Sequence, residues 1–268
     1  MDAPYTSNPQ RLVRTVRVLS QKKQIVDDYY KHFIFRPYKI DIKRCIVDSR
    51  IEDAKRLLDF CFTSRQGGQN KTLLSEYQKN AKNIRGNLKR ILEKILNGQD
   101  DAQSKYNSSL SLLHPIESSN GSLLKGIGQK ISTMFIKFLI YYSDDFPGKD
   151  QLLKELFIPF DTHVLNLLFS KVNGEKSNRL KLYHEDVNQA SLRYDFRRDE
   201  EGSIVIKSNK LFELQKKIQN DFRVLKIEKP PIILDYLWYV GRFYCRIRLK
   251  DSGCKICFLI EECENGSC

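Results

Sequence analysis

Residues 124–130, Leu-Lys-Gly-Ile-Gly-Gln-Lys, combine two closely spaced glycines with two lysines. Gly126 and Gly128 flank one aliphatic residue, a spacing that lets the backbone turn sharply between two helices. The amides that begin the second helix would then lack intrahelical partners, and with the helix dipole they can hold a phosphate. Lys130 lies one turn inside that predicted helix. The segment therefore predicts a turn that either holds a phosphate or is an ordinary connection between two helices.

The C-terminal cysteines are the second group with chemical potential. Two cysteines separated by two residues can bind one metal ion or cluster from a single turn, and further thiolates complete the coordination. Four thiolates suit either Zn²⁺ or a [4Fe–4S] cluster, and ligand type alone does not decide between them. We expect Cys45 and Cys61 to be buried small hydrophobes instead. The C-terminal group consists of Cys245, Cys254, Cys257, Cys263 and Cys268.

The composition is that of a globular protein with a polyanionic partner. The 268 residues are 41% hydrophobic and 29% charged, enough for one large core or two modest ones. The net charge of +13 favours DNA or RNA as partner, with general solubility as the alternative explanation. No apolar run approaches the roughly 20 residues of a membrane span, and residues 1–10 lack a signal-peptide core. We expect an intracellular protein, in the cytoplasm or on the nucleoid, with no membrane partner.

Helical periodicity must position these residues. Apolar residues recur at steps of three and four along most of the chain, which predicts an all-α protein. Residues 33–40 are predicted to be an extended connector, 203–206 a brief extended piece, and 97–120 a loop. The predicted helices comprise residues 10–30, a helix from Ile51 to the glycines at 67–68, residues 77–96, the helix that contains Lys130 and the apolar run 131–142, and residues 152–157, 165–172, 211–222 and 232–244.

Three segments occur in a fixed order: 126–130 (Gly-Ile-Gly-Gln-Lys), 160–164 (Phe-Asp-Thr-His-Val) and 241–245 (Gly-Arg-Phe-Tyr-Cys). Together they resemble the helix-hairpin-helix DNA glycosylase superfamily over residues 80–263. The cysteine end is similar to endonuclease III, in which a [4Fe–4S] loop follows a Gly-Arg-aromatic-x-Cys segment. The helix after Lys130 and residues 230–242 are more similar to the archaeal 8-oxoguanine glycosylases.

The resemblance implies an all-α fold of two helical domains with the active site in the cleft between them. Residues 50–165 would form the central domain with the hairpin, and residues 1–49 plus 166–244 the second domain. Residues 245–268 would form the cluster loop. We expect a monomer that binds double-stranded DNA containing a damaged base or an abasic site.

The resemblance also implies roles for individual residues. Lys130 would attack the sugar to form a Schiff base that permits β-elimination, and Asp161 would stabilise the positive charge that develops on the sugar. Backbone binding falls to Gly126, Gly128 and Lys125. His163 is expected to order the loop after Asp161. The cluster ligands would be Cys245, Cys254, Cys257 and Cys263, with zinc as the alternative metal and Cys268 as the alternative to Cys245.

The target base must leave the duplex to be excised, so a pocket and a residue that fills the vacated stack are required. Trp238 and Asp235 are the candidates for the pocket, and Gln66 for the vacated stack. The favoured function is a bifunctional DNA glycosylase and AP lyase of base excision repair, acting on 8-oxoguanine. One alternative is an endonuclease III-like enzyme for oxidised pyrimidines. The other is a non-catalytic DNA-binding module, which would need the glycines but neither Lys130 nor Asp161.

Overall fold

The computed structural model describes residues 5–63, 88–90, 92–93, 95–96, 124–160, 162–169, 171–172, 175–176, 180–185, 196–198, 204–206, 208–245 and 257–262. The side chains of residues 124–132 lie outside this description. The chain divides into two compact units, one formed by Met1–Val26 with Phe160–Cys268 and the other by Asp27–Pro159. The predicted division differs in grouping residues 27–49 with the two ends of the chain.

Most of the described residues are helical, which is compatible with the predicted all-α class. The strands form three short antiparallel pairs, β1 with β4, β2 with β3 and β5 with β6. In chain order the elements are β1 (Tyr5–Ser7), α1 (Pro9–Gln21), α2 (Lys23–Tyr30), a π-helix (Lys31–Phe35), α3 (Ile51–Thr63), α4 (Leu124–Tyr141), α5 (Lys149–Glu155), α6 (Thr162–Leu168), β2 (Lys171–Val172), β3 (Glu175–Lys176), β4 (Tyr183–Glu185), β5 (Phe196–Arg198), β6 (Ile204–Ile206), α7 (Ser208–Val224), a 3-10 helix (Pro231–Tyr236), α8 (Leu237–Phe243) and a 3-10 turn (Ile260–Glu262).

In the first unit, β1 and α1 are tied to the segment that leads into β4. The Asn8 side chain caps α1 by accepting a hydrogen bond from the amide of Arg11 at 3.2 Å, and Pro9 occupies the first helical turn. The Asn8 amide donates to the Leu182 carbonyl at 2.8 Å. The Arg11 guanidinium donates to the Leu180 carbonyl at 3.3 Å. The residues that begin α1 therefore also hydrogen-bond to the segment that leads into β4.

In the second unit, α4 packs against α3 and α5. The apolar stripe predicted on the helix from Ile51 is confirmed, because Ala54, Leu57, Leu58 and Cys61 are all buried. Residues 88–90, 92–93 and 95–96 are helical, with Leu88, Leu92 and Ile95 buried. Helix α5 begins after Gly148, whose φ of 80° lies in the left-handed region that favours glycine. The core of this unit follows the 3.6-residue period of its sequence.

Two predictions for residues 10–40 are wrong. Residues 10–30 form two helices, because α1 ends at Gln21 and α2 begins at Lys23. Residues 33–40 are not extended: the π-helix Lys31–Phe35 is followed by hydrogen-bonded turns. The amide of Arg36 donates to the Lys31 carbonyl at 3.0 Å, five residues back. This wider turn lets both Ile34 and Phe35 be buried.

The predicted turn at the two glycines is also wrong. Helix α4 begins at Leu124 and runs through Gly126 and Gly128 without interruption. Each glycine costs about 1 kcal/mol of helix stability relative to alanine, but burial of the apolar residues that follow can offset that cost. The described amides that precede the first intrahelical hydrogen bond are therefore those of residues 124–126, and Lys130 lies in the second turn of the helix.

Helices α6 and α8 pack closely at Gly241. A Cβ atom added to Gly241 would lie 2.8 Å from Cβ of His163 and 3.2 Å from its carbonyl oxygen. These atoms belong to or adjoin the backbone of α6, so they cannot move aside as a flexible side chain can. Only glycine fits this position without displacing a helix.

We predict that Gly241→Ala lowers the free energy of unfolding by about 1–3 kcal/mol, although alanine is the better helix former. Urea denaturation followed by circular dichroism measures it. Gly148→Asn is the control, since no atom lies within 4 Å of its Cβ and asparagine tolerates a positive φ. It should cost under about 1 kcal/mol. Equal stability of Gly241→Ala and the wild type would contradict the close packing.

Candidate functional site

Helix α4 carries both the predicted nucleophile, Lys130, and a buried lysine, Lys137. The structure places the backbone of Lys130, with Lys125, Gly126 and Gly128, in the first two turns of α4. Two helical turns after Lys130, the helix enters the core, where residues 135–140 are all buried. One of these is Lys137, only 1% exposed.

Lys137 is enclosed by aromatic side chains. Its Nζ donates a hydrogen bond to the hydroxyl of Tyr30 at 3.2 Å. The same atom lies 4.5 Å from the centroid of the Tyr30 ring and 4.9 Å from that of Phe138. Ring faces attract cations, and the attraction is stronger where water is excluded. The hydroxyl and the rings therefore offset part of the cost of burying an ammonium group.

The rings around Lys137 form one aromatic cluster. Phe138 contacts Tyr30 edge to face at 5.1 Å between centroids and Phe35 at 5.6 Å. Tyr142 lies 5.6 Å from Tyr30, and its hydroxyl donates to the Asp27 carboxylate at 3.0 Å. The cluster joins the end of α2, the π-helix and α4. Sequence reasoning missed Lys137, although a single lysine within the apolar run 134–140 is the pattern that would have indicated it.

The structure brings together two of the three segments on which the resemblance rests. His163 belongs to segment 160–164 and Gly241 to segment 241–245, and they are in contact where α6 packs on α8. His163 is partly exposed. Asp161, two residues before His163, lies outside the described residues, as does Gln66.

The two pocket candidates lie at the junction of the 3-10 helix Pro231–Tyr236 and α8. Asp235 is buried and Trp238 is partly exposed. The guanidinium carbon of Arg242 lies 5.4 Å from the Trp238 ring centroid, and Phe243 meets that ring edge to face at 6.2 Å. An exposed arginine stacked on tryptophan can contact a phosphate or a base. Arg242 is a candidate that the sequence reasoning did not single out.

Two cysteines of the C-terminal group, Cys245 and Cys257, lie within the described residues. Cys245 follows the end of α8, where its amide donates to the Val240 carbonyl at 3.0 Å. Cys257 is buried, and its Sγ accepts a hydrogen bond from the Leu259 amide at 3.4 Å. Amide hydrogen bonds to sulfur are a feature of cluster and zinc thiolates. Among the described residues no group of three potential metal ligands is found, and Cys254, Cys263 and Cys268 lie outside them.

Cys45 and Cys61 are buried, as predicted for structural cysteines. Burial raises the pKa of the Cys45 thiol to about 12, and the nearby Asp53 carboxylate adds to the shift. A thiol with so high a pKa is protonated at neutral pH and is therefore a poor nucleophile and a poor metal ligand. Cys45 is therefore suited to a structural role.

No family model, no curated protein and no solved structure matches the chain. Within the described helices, none is long and apolar enough to cross a membrane.

We predict that Tyr30→Phe lowers the free energy of unfolding by about 1–3 kcal/mol, because the Lys137 ammonium loses a hydrogen-bond acceptor in a buried site. The loss should shrink to less than half in a Lys137→Met background, where no ammonium requires the hydroxyl. Urea denaturation of the four proteins of this cycle gives the coupling.

Tyr38→Phe is the control for removing a hydroxyl, since Tyr38 is 41% exposed, and it should change stability by less than about 0.5 kcal/mol. An equal loss from Tyr30→Phe in both backgrounds would show that the hydroxyl does not act through Lys137.

Proposed function

We propose that this protein is a bifunctional DNA glycosylase and AP lyase of base excision repair, related to the superfamily that its ordered segments resemble, with a continuous helix in place of the hairpin turn. The three ordered segments at 126–130, 160–164 and 241–245 motivate the proposal. The observation that carries it furthest is the contact of Gly241 with His163, because it joins two of these segments within one unit. Neighbouring segments in space can act on one substrate, whereas unrelated motif matches need not meet.

The proposed chemistry uses one amine and one carboxylate. Asp161 stabilises the positive charge that builds on the sugar as the glycosidic bond breaks. The neutral amine of Lys130 attacks C1′, the base leaves, and the resulting Schiff base permits β-elimination of the 3′ phosphate. Burial of the amine and the positive end of the α4 dipole would both favour the neutral amine.

Double-stranded DNA with a damaged base or an abasic site is the proposed partner. The net charge of +13 supplies long-range attraction to the phosphates, and the first turns of α4, with Lys125, Gly126 and Gly128, would contact the backbone. The extruded base would lie against Trp238 and Asp235, with Gln66 filling its place in the stack. Arg242, stacked on Trp238, would contribute a cation beside the base.

We further propose a [4Fe–4S] cluster held by Cys245, Cys254, Cys257 and Cys263. Two features of the described residues fit a thiolate site: Cys245 follows the end of a helix, and the Cys257 sulfur accepts the Leu259 amide. Zinc is the alternative metal, and Cys268 the alternative to Cys245. The cluster would order the C-terminal residues and supply no step of the base excision.

The proposed substrate is 8-oxoguanine, ahead of oxidised pyrimidines such as thymine glycol. The helix that follows Lys130 and residues 230–242 support this order, because both resemble the archaeal 8-oxoguanine group. The test measures single-turnover excision rates on two duplexes, one that contains 8-oxoguanine and one that contains thymine glycol. Faster excision of thymine glycol would favour the endonuclease III-like alternative and leave the glycosylase proposal intact.

We predict that Lys130→Gln abolishes covalent trapping by borohydride on a lesion-bearing duplex, because no amine remains to form the Schiff base. Asp161→Asn should slow base excision at least about 100-fold. Gel analysis of trapped protein and of cleaved strands measures both. Lys125→Gln is the matched lysine control and should still be trapped at saturating protein. Wild-type trapping by Lys130→Gln would place the nucleophile elsewhere.

We predict that the purified protein contains about four iron atoms and is brown, and that Cys245→Ser loses both the iron and the visible absorbance. Iron analysis and absorption spectroscopy measure these. Cys45→Ala should retain both, since Cys45 is a buried protonated thiol. Colourless protein with stoichiometric zinc would replace the cluster with a zinc site. A cluster retained in Cys245→Ser but lost in Cys268→Ser would exchange these ligands.

A further inference from the structure

Residues 31–44, here called the basic–aromatic segment, take no part in the proposed base excision. The segment comprises the π-helix and the turns that follow it. Five of its residues are lysine or arginine and only Asp41 is acidic. All five basic side chains are exposed: Lys31, Arg36, Lys39, Lys43 and Arg44.

The backbone of the segment is held in place from inside. Ile34, Phe35, Ile40 and Ile42 are buried. The Ile40 amide donates to the carbonyl of residue 35 at 2.9 Å. From α3, the guanidinium of Arg56 donates to the carbonyl of residue 39 at 2.9 Å. The exposed side chains therefore project from a fixed backbone, which lowers the entropic cost of binding.

Two aromatic rings accompany the exposed charges. Phe33 is 66% exposed and Tyr38 41% exposed. Phe33 stacks on Tyr29 with 5.0 Å between centroids and 28° between planes, and Tyr38 contacts Phe60 edge to face at 5.1 Å. Each exposed ring is backed by a second ring, so its open face is held in place and is available to stack on a base.

Most of the positive charge of the segment is not neutralised nearby. Arg44 pairs with Asp48 at 2.8 Å, and the carboxylate of Asp41 pairs with Arg50. Lys31, Arg36, Lys39 and Lys43 form no ion pair with another described residue. Four positive charges beside two exposed rings are complementary to phosphates and bases.

We propose that the basic–aromatic segment binds single-stranded DNA, with a base stacked on Phe33 and phosphates on Lys31, Arg36 and Lys39. A stacked base requires an open face, which a single strand offers and an intact duplex does not. The choice of DNA over RNA rests on the proposed function. In a repair enzyme, such a surface would hold unpaired strand next to a lesion.

A protein partner fits the segment less well. The exposed apolar residues of the segment, Phe33 and Tyr38, are interspersed with exposed lysines and arginines and do not form one apolar patch. The cores of protein interfaces are depleted in lysine. Nucleic acid satisfies both the charges and the rings with one ligand.

The test uses fluorescence anisotropy with the full chain and a labelled oligothymidylate of roughly 12 nucleotides. We expect Phe33→Ala to weaken binding about tenfold and Phe33→Tyr to restore it. The combined change Lys31→Gln, Arg36→Gln and Lys39→Gln should lower the slope of log affinity against log salt by about 2. Thermal unfolding by circular dichroism establishes that each variant is folded.

Matched controls come from the end of α7. Val224→Ala removes an apolar side chain that is 64% exposed, and it should leave oligothymidylate affinity within twofold of wild type. Neutralising Arg223, Lys226 and Lys229, all exposed, removes the same charge and should change the salt slope by less than half as much.

Three results would overturn the proposal: wild-type affinity of Phe33→Ala, an equal loss in Val224→Ala, or tighter binding of oligouridylate than of oligothymidylate. Borohydride trapping at Lys130 is a separate readout on duplex DNA. Failure of the single-strand proposal and failure of the glycosylase proposal are therefore distinguishable.

Discussion

The unit formed by Asp27–Pro159 depends on one constraint, which is that helix α4 is buried along its second half while it carries the ammonium of Lys137. An isolated buried charge would cost several kcal/mol, so its surroundings must compensate. The Tyr30 hydroxyl accepts its hydrogen bond, and the rings of Tyr30 and Phe138 face it. Tyr30 is the last residue of α2, so this pairing anchors the chain at the point where the π-helix begins. The exposed Phe33 lies three residues after this anchor, whose partner is a lysine 107 residues later in the chain.

The same unit shows what the sequence could predict. The stripe on α3 was predictable, because local periodicity and burial agree there. The strand Ile204–Ile206 of the other unit lies where the sequence predicted a brief extended piece. The π-helix was not predictable, since nothing in the pattern of residues 31–35 distinguishes a turn with five-residue hydrogen-bond spacing from an ordinary helical turn. The helix through Gly126 and Gly128 was missed for a related reason. Glycine permits a turn but does not require one, and the apolar residues that follow favour a continued helix.

The candidate site was predictable to the extent that its residues belong to ordered segments. Sequence order placed 160–164 and 241–245 far apart, and the structure supplies the contact between them at Gly241. Position 241 requires glycine because the backbone of α6 packs against it, and no local sequence pattern reveals that contact. Cys245 was expected at a helix end and lies there. Arg242 was overlooked although its four-residue spacing from Trp238, within the predicted helix 232–244, indicates that both residues lie on one side of that helix.

The lysines of α4 differ in the chemistry open to them. Attack on a sugar requires an amine that the substrate can touch, and Lys137 is 1% exposed and hydrogen-bonded to Tyr30. Exposing it would break the aromatic cluster, so it is unsuited to be the nucleophile. Lys125 lies in the first turn, beside amides that would hold a phosphate. Under the proposed function a cation there would contact the DNA backbone, and neutralising its amine would weaken DNA binding. The backbone of Lys130 lies between the two, in the second turn of α4 and ahead of the buried residues 135–140, so the proposed attack by its amine does not require Lys137 to become exposed.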